Sequence, residues 1–426
     1  VSALDFNTLI QPQREAFTKI AAFLEHPTQR FFRLAGYAGT GKTYLLGCVN
    51  EKYSYKAQIN SAPTNKATKV FSKKVPNGSC KTIYSVLGVR MVADEDRLVL
   101  EFPHKPVDMN RWDIVYIDEG SMLCVDMVTY IEYISKLYPQ VKWVYSADRA
   151  QLNPIGEDES LIWKRKMPSV ELTEVVRYDN QILNLATNIR EQIIHYPDWQ
   201  LDIRSRHKYK EGVWRVKQRD FLHYLEKASK QGLFNEIDHT KALAWRNATV
   251  NQLNDTIRGH TFGRHAYNEP WIVGDRVMVA EPVTGDKGIK ANIDDEGSIK
   301  SVVVTHNTYY KDLKCYNIVI QLDDNEGELE VSVIHESSAS DLAKQLNELA
   351  GVAKQDRTKW KFFWALKNNF HKIRHSYGLT AHRGQGSTFR NVFIDMGDIM
   401  SNRDKLEALR CLYVCGTRPT TGIIIM

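Results

Sequence analysis

Nowhere in the 426 residues does an apolar run reach the ~18 needed to cross a bilayer, so no membrane span is expected. The first residues, Val1 to Phe6, lack a basic flank leading into an apolar core, and no signal peptide is expected; the absent initiator Met suggests a trimmed terminus. Cysteine is scarce. The six, at 48, 80, 124, 315, 411 and 415, include no C-x-x-C pair. A zinc site or disulfide framework is therefore not expected, and free thiols in a reducing cytoplasm are. His371 and His375, four apart in HKIRH, lack a zincin glutamate and are flanked by Lys372 and Arg374, which predicts a solvated basic face. There is no Pro/Gly/Ser tract for a long linker and no internal repeat of 20–50 residues. Excess charge is also small: 57 Lys plus Arg against 51 Asp plus Glu permits a polyanion partner without requiring one.

What remains is an ordinary globular composition, 43% hydrophobic and 25% charged, in a chain long enough for two to four domains. Up to about residue 170, short apolar runs alternate with longer mixed segments, the βα rhythm of a parallel sheet. Strands are predicted at Phe31–Ala35, Ala57–Ala62, Ile114–Ile117 and Val141–Ala147. Each ends in small, polar or acidic residues, and that edge is where open α/β sheets bind ligands. A second α/β section is split between about 170–260, with the run Ala242–Trp245, and about 376–426, with Val392–Asp395 and Gly422–Met426. Between them, Val273–Val279, Ile299–Val304, Tyr316–Leu322 and Leu329–Ile334 are β-rich runs separated by Gly, Asp and Asn, which predicts an inserted β-barrel. A helical stretch follows at about 338–372.

Two motifs carry chemistry. Gly36-Tyr37-Ala38-Gly39-Thr40-Gly41-Lys42-Thr43 satisfies G-x-x-x-x-G-K-[ST] between a predicted strand and a predicted helix. Its glycines let backbone N–H groups turn around phosphate oxygens, and a helix N-terminus adds the positive end of its dipole. Lys42 is placed to neutralise β- and γ-phosphates, and the Thr43 hydroxyl to ligate Mg²⁺. Trp112 to Glu119 is an apolar strand ending in paired carboxylates, Asp118 for the Mg²⁺ shell and Glu119 to polarise an attacking water.

Asp118-Glu119-Gly120-Ser121-Met122 and Ser146 to Pro154 resemble motifs II and III of superfamily 1 DNA helicases. Further motifs occur in family order. Ala62 to Ala67 and Thr82 to Leu87 resemble motifs Ia and Ib, Leu172 to Arg177 the motif with the first arginine finger, Tyr377 to Thr388 motif V and Leu412 to Arg418 motif VI. The segment Gln13-Arg14-Glu15-Ala16 resembles the glutamine motif. The resemblance spans nearly the whole chain and is greatest to the RecD-like B branch, in particular the phage Dda helicases. Three positions depart from the pattern: Ala147 stands where motif III has Gly, Tyr84 where motif Ib has His, and Gly384 where motif V has Ser. The last two bear on DNA contacts and none on hydrolysis.

The resemblance implies an α/β fold of two RecA-like P-loop domains, with a small pin subdomain in the first and an SH3-like β-barrel plus helical extension inserted in the second. The implied bounds are 1–168 for the first domain, with the pin at about 80–110, 169–261 and 376–426 for the second, and 262–375 for the insert. It implies that Gln13 reads adenine, that Gln151 senses the γ-phosphate, and that Arg177 and Arg418 are arginine fingers. A guanidinium suits that work because its charge is permanent and its fork grips phosphate oxygens. Pro63, Thr64, Thr82, Thr380, His382 and Arg383 are candidate DNA contacts that hold phosphates without reading sequence. Phe102, after the run Arg97–Leu100, is either the strand-separating aromatic of the pin or an anchor of that hairpin.

The implied activity is ATP- and Mg²⁺-dependent unwinding, 5′ to 3′, on single-stranded and forked DNA, by a monomer that meets replication or recombination proteins. Alternatives are an RNA-directed helicase, a tethering nuclease-complex subunit, or a non-motor P-loop ATPase subunit of a repair complex. Residues 354–374 carry seven Lys/Arg against Asp356 and interleave five aromatics. Trp360, Phe363, Trp364 and Lys367 fall at i, i+3, i+4, i+7, which predicts an amphipathic helix packing that stripe on the barrel rather than a single-strand site.

Overall fold

The computed structural model describes residues 6–75, 77–94, 97–174, 181–208, 211–285, 288–323 and 327–426. It divides into two compact units, Val1–Val216 with Gly384–Met426, and Lys217–Arg383.

The first unit opens with helix α1 (Gln11–Glu25), strand β1 (Phe31–Gly36), helix α2 (Lys42–Lys52), β2 (Gln58–Ala62), α3 (Asn65–Ser72), β3 (Ser79–Thr82) and the short α4 (Ile83–Leu87). A hairpin of β4 (Arg90–Asp94) and β5 (Arg97–Glu101) follows, then β6 (Ile114–Ile117), α5 (Val125–Leu137), β7 (Lys142–Ala147) and β8 (Ser169–Leu172). Six strands form one sheet in the order β3-β2-β6-β7-β1-β8, every neighbouring pair parallel. All residues of β2 and β6 are buried, as expected when helices cover both faces of a parallel sheet. On one face Ala16, Ile20, Phe23 and Leu24 of α1 lie along a helical stripe against Leu45, Leu46 and Val49 of α2. On the other, Met127, Val128, Ile131 and Ile134 of α5 pack with Trp143 and Tyr145 of β7. The order of the strands brings the ends of β1, β6 and β7 together at one edge, which is what the site requires.

The rest of this unit contains parallel strands Phe389–Ile394, Pro419–Ile425 and Glu211–Arg215, with Arg206–Lys208 added antiparallel. Helices Gln181–Ile194 and Lys405–Thr417 belong to it as well.

In the second unit Thr240–Ala244 pairs parallel with Gly378–Thr380. A separate five-stranded antiparallel sheet runs in the order Glu328–Ile334, Lys314–Leu322, Glu296–His306, Arg276–Val279, Ile373–His375. Its alternating inward residues, among them Ile318, Ile320, Leu329 and Val331, close a core of their own. The expected barrel strands are thus present, a few residues longer or shorter than predicted. The expected helical stretch is two helices, Ala339–Gln355 and Trp360–Lys367, separated by the turn Arg357–Lys359.

Two expectations are corrected. His371 and His375 do not form a solvated basic face. His375 ends a barrel strand 3.6 Å from the buried Asp275, and His371 Nδ1 accepts a hydrogen bond from Ser332 N at 3.2 Å. Burial pushes the His371 imidazole below its ordinary pKa, so it stays uncharged more readily. The aromatic stripe of Trp360–Lys367 does not make the packing face either. Leu366 and Phe370 are buried instead, against Leu313 and Cys315. All six cysteines are free, four of them buried. No helix among the described residues is long and apolar enough to cross a membrane.

Candidate nucleotide site

The loop between β1 and α2 turns where the sequence allows it. Gly39 and Gly41 adopt φ of 84° and 78°, left-handed conformations that side chains with a Cβ resist. At Gly36 the constraint is space: a Cβ would lie 2.9 Å from both the Leu172 carbonyl oxygen and Thr40 Oγ1. The Lys42 ammonium folds back over the loop and donates to the carbonyls of Gly36 at 2.6 Å and Tyr37 at 3.1 Å. Gln13 is 2% exposed and engaged at both ends. Its Nε2 donates to the Thr40 carbonyl at 3.0 Å, and its Oε1 accepts from Ile10 N at 3.2 Å. In this arrangement it ties α1 to the loop.

Thr43, at the start of α2, donates from Oγ1 to Asp118 Oδ2 at 3.1 Å. The other oxygen of Asp118 accepts from Ser146 Oγ at 2.7 Å and from Glu119 N at 3.0 Å. Hydroxyl and carboxylate oxygens are the hard donors that Mg²⁺ takes, so Thr43 and Asp118 fit that ion. Glu119 leaves the strand direction through a left-handed backbone, φ 53°, which is uncommon for a residue with a side chain. The turn is what separates the two adjacent carboxylates. Burial, and then the neighbouring charge of Asp118, raise the Glu119 pKa, while Arg418 and Lys42 oppose the rise.

Asp148, fully buried, accepts from Ala150 N at 3.0 Å and from the Tyr413 hydroxyl at 2.8 Å. That hydroxyl in turn accepts from Ala38 N of the phosphate-binding loop at 3.0 Å. One phenol therefore joins the loop to the segment after β7. Gln151 continues the chain: its Oε1 accepts from Gln385 Nε2 at 3.0 Å, and its carbonyl accepts from Arg410 Nη1 at 2.9 Å. Arg418, 7% exposed, donates to the carbonyls of Val414 and Ser387 at 3.1 Å each, and to Thr417 Oγ1 at 2.9 Å. Arg190 lies over the Tyr37 ring, 4.1 Å from its centroid.

Lys42, Thr43, Asp118, Glu119 and Gln151 thus lie just beyond the ends of β1, β6 and β7, and Arg418, of the same unit, acts electrostatically on Glu119. Arg177 lies outside the described residues. Thr64 and Thr82 cap α3 and α4, accepting from Ala67 N and Ser85 N at 3.2 Å each, and Pro63 precedes Thr64. In the second unit Thr380 Oγ1 accepts from Arg383 N at 3.3 Å, Arg383 pairs with Asp294 at 2.6 Å, and His382 lies between them in sequence. Phe102 follows β5 and packs on Tyr130 of α5, ring centroids 4.7 Å apart. The sequence reading overlooked Tyr413, Ser146, Gln385 and Arg190. Tyr413 and Gln385 sit inside motifs already recognised, but spacing does not tell which side chain bridges; Arg190 gave no signal at all.

A model of the AAA domain matches residues 8–200, and a model of the Dda helicase SH3 domain matches residues 268–375. The chain thus carries an AAA domain followed by the SH3 domain of Dda helicases, and is similar to the Dda-like helicases. It is an enzyme, a helicase and an ATPase. The ATP-dependent DNA helicase dda of Enterobacteria phage T4 is 24% identical, aligned over 97% of this chain and 98% of its own. Uncharacterized protein R530 of Acanthamoeba polyphaga mimivirus is 25% identical, over 99% of each. Among solved structures, a Pif1 helicase at forked double-stranded DNA shares the fold at TM-score 0.56 and 18% identity, covering 98% of this chain and 92% of that one. Bacteroides Pif1 with ADP-AlF3 and single-stranded DNA does so at 0.52 and 17%, covering 96% and 91%.

Proposed function

We propose that this helicase binds ATP with Mg²⁺, translocates 5′ to 3′ on single-stranded DNA and unwinds forked duplex as a monomer. The observation that carries the reading is the junction of Thr43, Asp118 and Ser146 beside the strained turn at Glu119. Thr43 and Asp118 would hold the metal ion, which when bound neutralises charge on the phosphates. Lys42 supplies a further positive charge to them. Glu119 takes the proton of the attacking water, and the burial that raises its pKa makes it a stronger base than an exposed glutamate. Arg418, and Arg177 by family resemblance, provide the arginine fingers. Gln13 serves the nucleotide through Thr40 and, by the same resemblance, at the adenine.

Two RecA-like domains, 1–168 and 169–261 with 376–426, would alternate their grip on the strand, with 262–375 as the inserted barrel and extension. Pro63, Thr64 and Thr82 would hold phosphates on the first domain, and Thr380, His382 and Arg383 on the second. Thr64 and Thr82 already cap helices, which puts them at helix N-termini, where an anion is favoured. Replication or recombination proteins are the expected company, in the cytoplasm.

ATP hydrolysis with single-stranded DNA or RNA of matched length tests the reading. DNA should stimulate turnover, and Lys42→Ala should abolish it while single-strand binding persists. Equal or greater stimulation by RNA would favour the RNA-directed alternative, and no stimulation by either would favour a non-motor ATPase.

A further inference from the structure

The helix Trp360–Lys367 buries little of what it carries. Leu366 (1% exposed), with Phe370 just beyond the helix, fixes it to Leu313 and Cys315, and its aromatic residues stay outside that core. Phe362 is 47% exposed and Trp364 42%. Trp360, Phe363 and Trp364 run edge to face along the helix, successive ring centroids 5.2 Å apart, so the rings hold one another in place. Lysines lie over the outer rings. Lys359 and Lys361 approach the Phe362 centroid at 5.6 and 5.0 Å, and Lys367 approaches that of Trp364 at 5.0 Å. The single acid in 354–374, Asp356, is committed to its own turn, accepting from Thr358 N and Oγ1 at 3.0 and 2.7 Å. The surface is therefore a set of aromatic rings, Phe362 and Trp364 exposed and Trp360 and Phe363 half-buried, with lysines beside them and no other acid in 354–374.

We propose that this helix is a secondary binding site for single-stranded DNA, its rings stacking bases and its lysines neutralising the phosphates between them. A lysine now over a ring can swing to a phosphate while a base takes its place on the π face. Single strands fit because their base faces are open, whereas a duplex offers only edges and backbone. Stacking on rings reads no sequence, which suits a motor. The inference rests on single-stranded DNA being the substrate, as proposed above.

The test uses the full chain and labelled homothymidine strands of about 8 and about 30 nucleotides, lengths below and above one to two ordinary single-strand sites. The double substitution Phe362→Ala, Trp364→Ala should weaken the long strand about tenfold and leave the short strand unaffected. ATPase stimulation by the short strand should stay at the wild-type level. Restoring Trp364 as Tyr should recover part of the long-strand affinity. Lys359→Gln, Lys361→Gln and Lys367→Gln together should flatten the plot of log affinity against log salt for the long strand by about 2, at ~0.7 for each phosphate no longer neutralised. Wild-type affinity and slope in both variants would overturn the proposal. Equal losses for the two lengths would also overturn it, by making the helix part of the principal channel. So would Trp364 already shielded from acrylamide without DNA, because the stripe is then covered by protein. Failure of the underlying reading is separate and shows as no ATPase stimulation of the wild type by either strand.

Discussion

Glu119 concentrates the chemistry of the site in one side chain. Its carboxylate must be ionised to take a proton, and burial and Asp118 raise its pKa. Turnover should therefore fall on the acid side of the profile, with an inflection above the ~4.3 of an ordinary glutamate. The protonated acid dominates below that inflection and cannot act as base, so activity is gained as pH rises through it. Glu119→Gln should keep nucleotide binding and lose about 10²-fold or more in kcat. Wild-type turnover in that variant would reassign the base. At Tyr413, one hydroxyl serves the loop N–H of Ala38 and the buried carboxylate of Asp148. Tyr413→Phe removes both bonds without changing the ring, and leaves an anion short of a partner. Urea unfolding should show a loss of about 1–3 kcal/mol, and an unchanged midpoint would mean that the phenol is not the link. The motif pattern carried Lys42, Thr43, Asp118 and Glu119 because their chemistry depends on residue type at fixed spacing. It could not carry Tyr413 or Arg190, whose roles arise only when distant helices meet the loop.

Elements were legible in proportion to their burial. The strands β1, β6 and β7 carry apolar runs that helices cover, β2 is buried although it holds Gln58, Asn60 and Ser61, and each was readable within a residue or two. The strand β3, Ser79–Thr82, alternates exposed and half-buried residues at a sheet edge, so its sequence S-C-K-T carries little apolar signal. The helix Trp360–Lys367 was recognisable as a helix, yet its packing face was misjudged. Hydrophobic periodicity reports which side chains are apolar, and here the neighbours supply a contact for Leu366 rather than for the rings. The hairpin β4–β5 poses the same question at Phe102. Its contact with Tyr130 at the foot of the hairpin favours an anchor over a residue that meets the fork. Phe102→Ala should then cost about 1–3 kcal/mol in unfolding and reduce unwinding, because the hairpin base loosens. Undiminished stability with unwinding lost would return Phe102 to the DNA-facing role.

For the whole molecule, the sequence order of the motifs, the parallel sheet around the phosphate-binding loop and the barrel sheet agree with a Dda-like helicase. Direction of travel is a property of the assembled motor, and no residue encodes it locally. Duplexes bearing a single-stranded tail at either the 5′ or the 3′ end measure it, and with it the whole account. With ATP and Mg²⁺ the 5′-tailed duplex should be separated and the 3′-tailed one left nearly intact, and Lys42→Ala should separate neither. Unwinding of the 3′-tailed duplex as fast as the 5′-tailed one, or separation of strands by Lys42→Ala, would contradict it.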